Sequence, residues 1–313
     1  MRRARVLALA AAAALSPVLA RADAGTVGAT TLQRPFGARA LGMAQAFAAV
    51  PGGLESAGYN PAGLIAAKRP QLSTFYTHGV IEDSFGYLGY AHPLSFGVLD
   101  AGLLYYDAGT VHLMLSDGTN SNVKAEEDYV GMLGGAIPLP FDLSVGGIGK
   151  FYRFSLAQQA NASGFAADLG AQWRSPLAGL TLGASLQNMG PDVKFEQQGD
   201  PLPLTARAGA AYLLDLAALG AIKQSDYTVS QFLITADAIQ VRGSPVGGGV
   251  GLEIAMPMPN GRAAIRGGYV INSDSSSSAF GVGLKEGHFL FDYAIGVTRA
   301  LNNTQNFSLG VEF

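Results

Sequence analysis

The sequence predicts an all-β fold: a transmembrane outer-membrane β-barrel of about 14 antiparallel strands, with an N-terminal, partly helical plug (hatch) in the lumen. Three observations carry that expectation. Apolar and polar residues alternate with period two along most of the chain. The less apolar faces are built mainly from glycine and alanine with isolated charges. No segment after the N-terminus reaches the roughly 18 uncharged apolar residues of a membrane helix. The 313 residues include 42 glycines and only 14% charged side chains, against about 7% and about 25% in soluble domains. Such a chain either hides its surface or faces lipid. Zero cysteines exclude disulfides and thiolate metal sites. The formal charge of −3 argues against nucleic acid as a partner.

The N-terminus begins with Arg2, Arg3 and Arg5, continues through an apolar run from Val6 to Leu15, and reaches Ala22-Asp23-Ala24. That order is the pattern of a secretory signal peptide at 1–24, too short to span a bilayer. Its removal takes away four arginines and one aspartate, so the formal charge moves from −3 to −6. The expected destination is the outer membrane of a Gram-negative bacterium.

Residues 25–68 do not alternate. GARALGMAQAFAAV at 37–50 has helical spacing, with Leu41, Ala44, Phe47 and Ala48 able to share a face, and Pro51-Gly52-Gly53 and Asn60-Pro61 read as turns. A fourteen-stranded lumen is too wide for wall side chains alone to fill, so this segment is expected inside it as a plug.

The remainder, 69–313, reads as the barrel. Strands are expected near 70–78, 84–92, 98–106, 127–137, 141–154, 162–174, 180–189, 204–213, 228–240, 246–256, 262–271, 279–286, 288–298 and 304–313. In 165–174, Phe165, Leu169 and Trp173 oppose Asp168, Gly170, Gln172 and Arg174. In 204–213, Leu204 and Tyr212 oppose Thr205, Arg207 and Gly209. A solvated face would carry lysine, glutamate and threonine. These faces instead suit a crowded interior in which Asp168, Arg174, Arg207, Asp237, Glu253, Arg262, Arg266, Lys285 and Asp292 pair with one another. Pro138-Leu139-Pro140 and Glu286-Gly287 read as periplasmic turns, and 107–127 and the serine run 273–278 as extracellular loops. Tyr87, Tyr90, Tyr105, Tyr106, Tyr152 and Phe154 lie near strand ends, where they fit interfacial girdles. The closing NFSLGVEF is a last strand that pairs with the first, with Phe307, Leu309, Val311 and Phe313 outward.

Three stretches carry a family resemblance. GARALGMAQAFAAV with NPAGL, LQNMGPDVKF with PLPLTARAGAAYLL, and FDYAIGVTRALNNTQNFSLGVEF resemble motifs of the PorV/PorQ family of FadL-like outer-membrane barrels. The matches sample the beginning, middle and end of the chain. The positions that match the plug motif are Gly37, Arg39, Gly42, Met43, Phe47, Asn60, Pro61 and Gly63. The chain departs from the family with Ala44-Gln45 for a glycine pair, Gly52-Gly53 for an acidic pair, and Gly58-Tyr59 for Tyr-Trp. The resemblance also implies that the terminal Phe313 is an assembly signal read by barrel-assembly machinery.

No hydrolase elbow, phosphate loop or zinc-protease motif occurs, and His78, His92, His112 and His288 lack ligand spacing. Neither cofactor, metal nor enzymatic activity is expected. The FadL-like resemblance implies transport of hydrophobic small molecules, such as long-chain fatty acids, across the outer membrane, with Leu233 and Leu290 lumen-facing by parity. The PorV/PorQ resemblance implies instead a type IX secretion component whose partners are secretion-system proteins. A structural barrel with a sealed lumen is the third alternative.

Overall fold

A computed structural model describes residues 27–78, 83–114, 120–195, 198–221, 228–271, 278–297 and 303–313. The expected signal peptide and all of the 273–278 loop except Ser278 lie outside the described residues. The strands are β1 Gln71–His78, β2 Ser84–Leu94, β3 Gly97–Asp107, β4 Thr110–Met114, β5 Asn120–Lys124, β6 Glu126–Leu139, β7 Leu143–Leu156, β8 Ala160–Arg174, β9 Leu180–Met189, β10 Val193–Lys194, β11 Gly199–Asp200, β12 Thr205–Asp215, β13 Gln231–Val241, β14 Gly247–Met258, β15 Gly261–Ile271, β16 Ser278–Glu286, β17 Phe289–Val297 and β18 Thr304–Glu312.

Fourteen of these close into an antiparallel barrel in the order β1-β18-β17-β16-β15-β14-β13-β12-β9-β8-β7-β6-β3-β2. All fourteen fall where the alternation predicts them. The seam is β1 against β18, from Gln71 opposite Glu312 to His78 opposite Gln305, and the Phe313 N–H donates to the Pro70 carbonyl at 2.9 Å. Both ends of the barrel therefore lie at one rim, the periplasmic one for an even-stranded outer-membrane barrel. The expected turns at 138–140 and 286–287 lie at that rim, and the 107–127 loop lies at the other. Two long connections at the extracellular rim carry their own ribbons, β4 with β5 and β10 with β11.

Large apolar residues point outward around the ring. Leu88, Leu103, Leu133, Phe151, Phe165, Leu169, Ile234, Ile265, Phe280 and Leu309 are all exposed. The inner face is divided. On β1 to β8 it is mainly apolar, with Phe75, Phe85, Tyr87, Leu104, Tyr106, Met132, Ile148, Tyr152 and Phe154 buried around the isolated Asp100, Asp128 and Lys150. From β8 round to β18 it is polar, with Asp168, Gln172, Gln187, Arg207, Asp237, Glu253 and Arg266 buried. Tyr87, Tyr106, Tyr152 and Phe154 are thus lumen residues and not girdle residues. Their strands carry bulky groups on both faces, which hides the parity; Tyr90 and Tyr105 do point outward.

The lipid-facing band makes a quantitative prediction. Leu133, 70% exposed in the middle of β6, tolerates no charge at bilayer depth. Leu133→Arg should lower the stability of the bilayer-inserted barrel by about 2–4 kcal/mol in denaturant titrations, and Leu133→Ile by far less.

Candidate functional site

The plug is positioned by the two kinds of wall. Its chain starts at the extracellular rim, where Gly28 N–H donates to the Pro201 carbonyl at 3.1 Å and Arg34 pairs with Asp83 at 3.4 Å while lying over the Tyr106 ring. Leu32 and Phe36 then pack on the apolar half, Phe36 stacking on Tyr87 with ring centroids 4.2 Å apart. Gly37, at φ +91°, turns the chain; a Cβ there would sit 2.7 Å from the Glu55 carboxyl carbon. The helix Ala38–Gly42 follows and packs against β15 to β18. It is shorter than the spacing predicts. Ala44 and Gln45 adopt left-handed backbone (φ 52° and 62°), and the Gln45 N–H closes back on the Ala40 carbonyl at 2.9 Å.

Beyond the helix, backbone groups of the plug that have no helical partner are taken by wall side chains and by Asn60 of the plug itself. Asp237 Oδ2 accepts from the Phe47 and Ala48 N–H groups at 2.9 and 2.7 Å. Gln172 Nε2 donates to the carbonyls of Ala48 and Val50 at 3.0 and 3.1 Å. Asn60 Nδ2 bridges the Ala48 and Ala171 carbonyls at 2.7 and 3.0 Å, while its Oδ1 caps the short helix Pro61–Ala66 through the Ala62 N–H. Ser185 and Gln187 donate to the Tyr59 and Gly58 carbonyls. A buried amide without a partner costs free energy, so these side chains hold the plug in one register.

One ionic node adds to this. Glu253, buried on β14, accepts from Arg39 of the plug at 2.8 and 3.0 Å and from Arg266 of β15 at 2.6 Å, and it also pairs with Arg262. Arg266 reaches on to Asp292 at 2.6 Å.

The plug leaves a chamber on each side. The extracellular one, about 310 Å³, is lined by Leu32, Phe36, Leu104, Met132, Ile239 and Val270, with Lys150, Gln187, Asn188 and Arg207 among them. Arg207 is 8% exposed, donates from Nε to Gln187 Oε1 at 2.9 Å, stands over the Tyr59 ring, and has a buried Nη1 without a hydrogen-bond partner. The periplasmic one, about 330 Å³, is lined by Arg39, Arg262, Arg266, Lys285, Leu290 and Asp292, and shares no lining residue with the first.

A plugged fourteen-stranded barrel of this kind is similar to several solved structures. The toluene transporter TbuX of Ralstonia pickettii superposes with a TM-score of 0.62 at 13% identity, over 89% of this chain and 98% of that one. The CymD monoaromatic hydrocarbon channel gives 0.59 at 12% identity, over 89% and 97%. A Pseudomonas aeruginosa FadL homologue gives 0.50 at 10% identity, over 88% and 98%. The chain has the FadL-type barrel fold. No protein-family model and no curated protein matches the sequence, so the PorV/PorQ resemblance gains no support from these comparisons.

Within this FadL-type barrel the residues singled out from the sequence fall into separate groups. Gly37, Arg39, Gly42, Met43, Phe47, Asn60, Pro61 and Gly63 all lie in the plug, with Gly42 against the Gly281 backbone and Gly63 against Ser56 and Gln172. Glu253, Arg262, Arg266 and Asp292 meet at the node. Asp168 pairs with Lys150 at 2.7 Å, and its Oδ1 accepts from the Asn188 N–H, where a bulge interrupts the pairing of β8 with β9. Lys285 pairs with Glu312 at 2.6 Å. Arg207 and Asp237 make no ion pair with each other among the described residues. Arg174 is not a lumen residue: it ends β8 at the periplasmic rim, 73% exposed, 3.9 Å from Asp142. Alternation sets its parity but not its depth. Leu233 and Leu290 do face inward. Lys150, Asn188 and Glu55 carry no signal in the sequence pattern, whereas Gln172 lies on the expected polar face. Lys150 sits between Gly149 and Phe151 on a strand whose inner face beside it carries Ile148, Tyr152 and Phe154, so no polar face announces it.

The node makes the two ends of the Arg39–Glu253 pair unequal. Arg39→Gln leaves Glu253 with two guanidiniums and should weaken seating of the plug by about 2 kcal/mol. Glu253→Gln takes the carboxylate from three guanidiniums, of which only Arg266 keeps another in Asp292, and should cost about 3–5 kcal/mol. Single-channel recordings in planar bilayers should show brief openings for the first and longer, more frequent openings for the second. A second prediction concerns contact. A Cβ at Gly183 would lie 2.1 Å from the Ala48 carbonyl oxygen, so Gly183→Val should unseat the plug while the barrel keeps its heat-modifiable gel mobility.

Proposed function

We propose that this protein carries small hydrophobic molecules across the outer membrane of a Gram-negative bacterium, as a non-enzymatic conduit gated by its plug. The observation that carries this reading is the extracellular chamber, a cavity beside the plug whose lining is about half apolar, with Leu32, Phe36, Leu104, Met132 and Ile239 on one part and Lys150, Gln187, Asn188 and Arg207 converging on the other. It thus offers both an apolar wall and the polar groups that orient a small molecule. The fold shared with a toluene transporter and a monoaromatic hydrocarbon channel supports it. At about 310 Å³ the chamber stands at the small end of ligand sites. That favours a compact, ring-sized molecule over the long-chain fatty acid that the sequence resemblance implies. The free Nη1 of Arg207 suits a ligand that also carries an acid group.

Uptake into outer-membrane vesicles tests this with two probes of one shape, toluene and benzoate. Both should enter faster than into vesicles without the protein. Arg207→Met should reduce benzoate entry about tenfold or more, the effect of losing one charge-assisted hydrogen bond, and leave toluene entry nearly unchanged. Uptake of both probes no faster than in protein-free vesicles contradicts the proposal.

A second reading, a secretion component that receives protein cargo, is favoured by the structured extracellular connections around β4–β5 and β10–β11. Pull-down of secretion-system proteins by the intact barrel, lost when 110–124 is deleted, is its expected signature. We also read Phe313, 62% exposed at the seam, as an assembly signal. Its deletion should lower outer-membrane levels more than it lowers the stability of refolded protein.

A further inference from the structure

The plug covers two carboxyl groups, Asp100 and Glu55, three of whose four oxygens find no hydrogen-bond partner. Asp100 projects inward from β3, is 1% exposed, and neither of its oxygens is hydrogen-bonded or ion-paired. Its neighbours across the sheet are Ala91 and Gly134, and the short helix Pro61–Ala66, which packs on β3, has no ionisable residue. The titratable group that faces it is Tyr87, whose hydroxyl is also buried and unpartnered. The second carboxyl, Glu55, belongs to the plug itself, in the short helix Gly53–Gly58. Its Oε1 is 3.4 Å from the Ser308 hydroxyl, and its Oε2 is shut off from solvent without a partner although the residue as a whole is half-buried. Arg39 of the plug, Arg266 of β15, Asp292 of β17 and the hydroxyls of Tyr59 and Tyr87 face it; the Arg39 backbone N–H bonds its carboxylate, but the guanidiniums of both arginines give their hydrogen bonds to Glu253 and Asp292.

An ionised carboxylate enclosed without a donor costs several kcal/mol, and the neutral acid far less. We propose that seating of the plug is coupled to proton uptake by Asp100 and Glu55, so that acid holds the plug in place and rising pH releases it. Once the plug lifts, both groups meet water and ionise as ordinary carboxylic acids, near pH 4. In the seated state burial, with Asp292 adding to it, pushes Glu55 up to about 7. A group whose affinity for the proton is higher in the seated state favours that state fully below the unseated value. The advantage is lost as pH rises through the seated one. The window is therefore about pH 4 to 7. The Arg39–Glu253 pair is not part of this coupling, because Glu253 already has three guanidiniums as partners.

The chain has no cysteine, so a single introduced thiol reports on seating. Ala57→Cys places it in the plug at a position 0% exposed, and Ala218→Cys, exposed at the periplasmic rim, corrects for the titration of the thiol itself. The ratio of maleimide labelling rates, Ala57→Cys over Ala218→Cys, should rise at least about tenfold between pH 4.5 and pH 7.5. Adding Asp100→Asn and Glu55→Gln should flatten that rise. A ratio in the Ala57→Cys protein that does not change with pH overturns the proposal, and this outcome needs no further variant to fold. A rise that persists in the doubly substituted protein, judged folded by its heat-modifiable mobility, overturns it too, because the coupling would then belong to other carboxyls such as Asp128 or Asp237. The measurement involves no transported molecule, so it stands apart from the uptake experiment.

Discussion

In hydrocarbon a backbone N–H or C=O without a partner has no water to turn to, and the rest of this molecule follows from how the chain meets that constraint. The solution is closure. β1 finds β18, and every strand of the ring has two neighbours. Closure with fourteen strands makes a lumen wider than side chains alone can fill, so the chain that precedes the barrel has to fill it. That chain cannot be a regular helix throughout, since it must also match an irregular wall. Its own unpaired backbone groups become the next instance of the same constraint, met this time by Asp237, Gln172, Asn60, Ser185 and Gln187.

The wall that receives the plug has two characters. Against β1 to β8 the contact is apolar and aromatic, with Phe36 on Tyr87. Against β8 to β18 hydrogen bonds and the Glu253 node join a smaller apolar cluster of Met43, Phe47 and Tyr59 with Ala211 and Leu233. Apolar contact is non-directional and tolerates sliding; the bonded side is directional and does not. The bulge at Asp168, with Lys150 and Asn188 beside it, lies where the two characters meet.

Much of this was legible in the residues. Strands such as β12 and β17, where glycine, alanine and single charges oppose leucine, phenylalanine and tyrosine, announce both their face and their register. The segment before residue 69 stands out because it lacks that alternation. Where both faces are bulky, as at Leu103-Leu104-Tyr105-Tyr106 or Phe151-Tyr152, parity is lost, and the apolar half of the lumen with its buried Lys150 and Asp100 stays hidden. Depth is lost as well. Arg174 has the parity of a lumen residue but is the last residue of β8, at the periplasmic rim. The helix beginning at Ala38 stops early because close passage of the plug by Gly249 and Gly268 puts Ala44 and Gln45 in left-handed backbone, a tertiary demand that no local spacing records.

The central claim is that the space between the plug and the wall on the extracellular side receives a compact hydrophobic molecule. Crystals soaked with 4-bromobenzoate test it most directly, because bromine is located by its anomalous signal. The account predicts a bromine peak inside the chamber bounded by Phe36, Met132 and Ile239, with the carboxylate at the Arg207 Nη1. Bromine found solely on the lipid-facing surface, with the chamber empty, would contradict it.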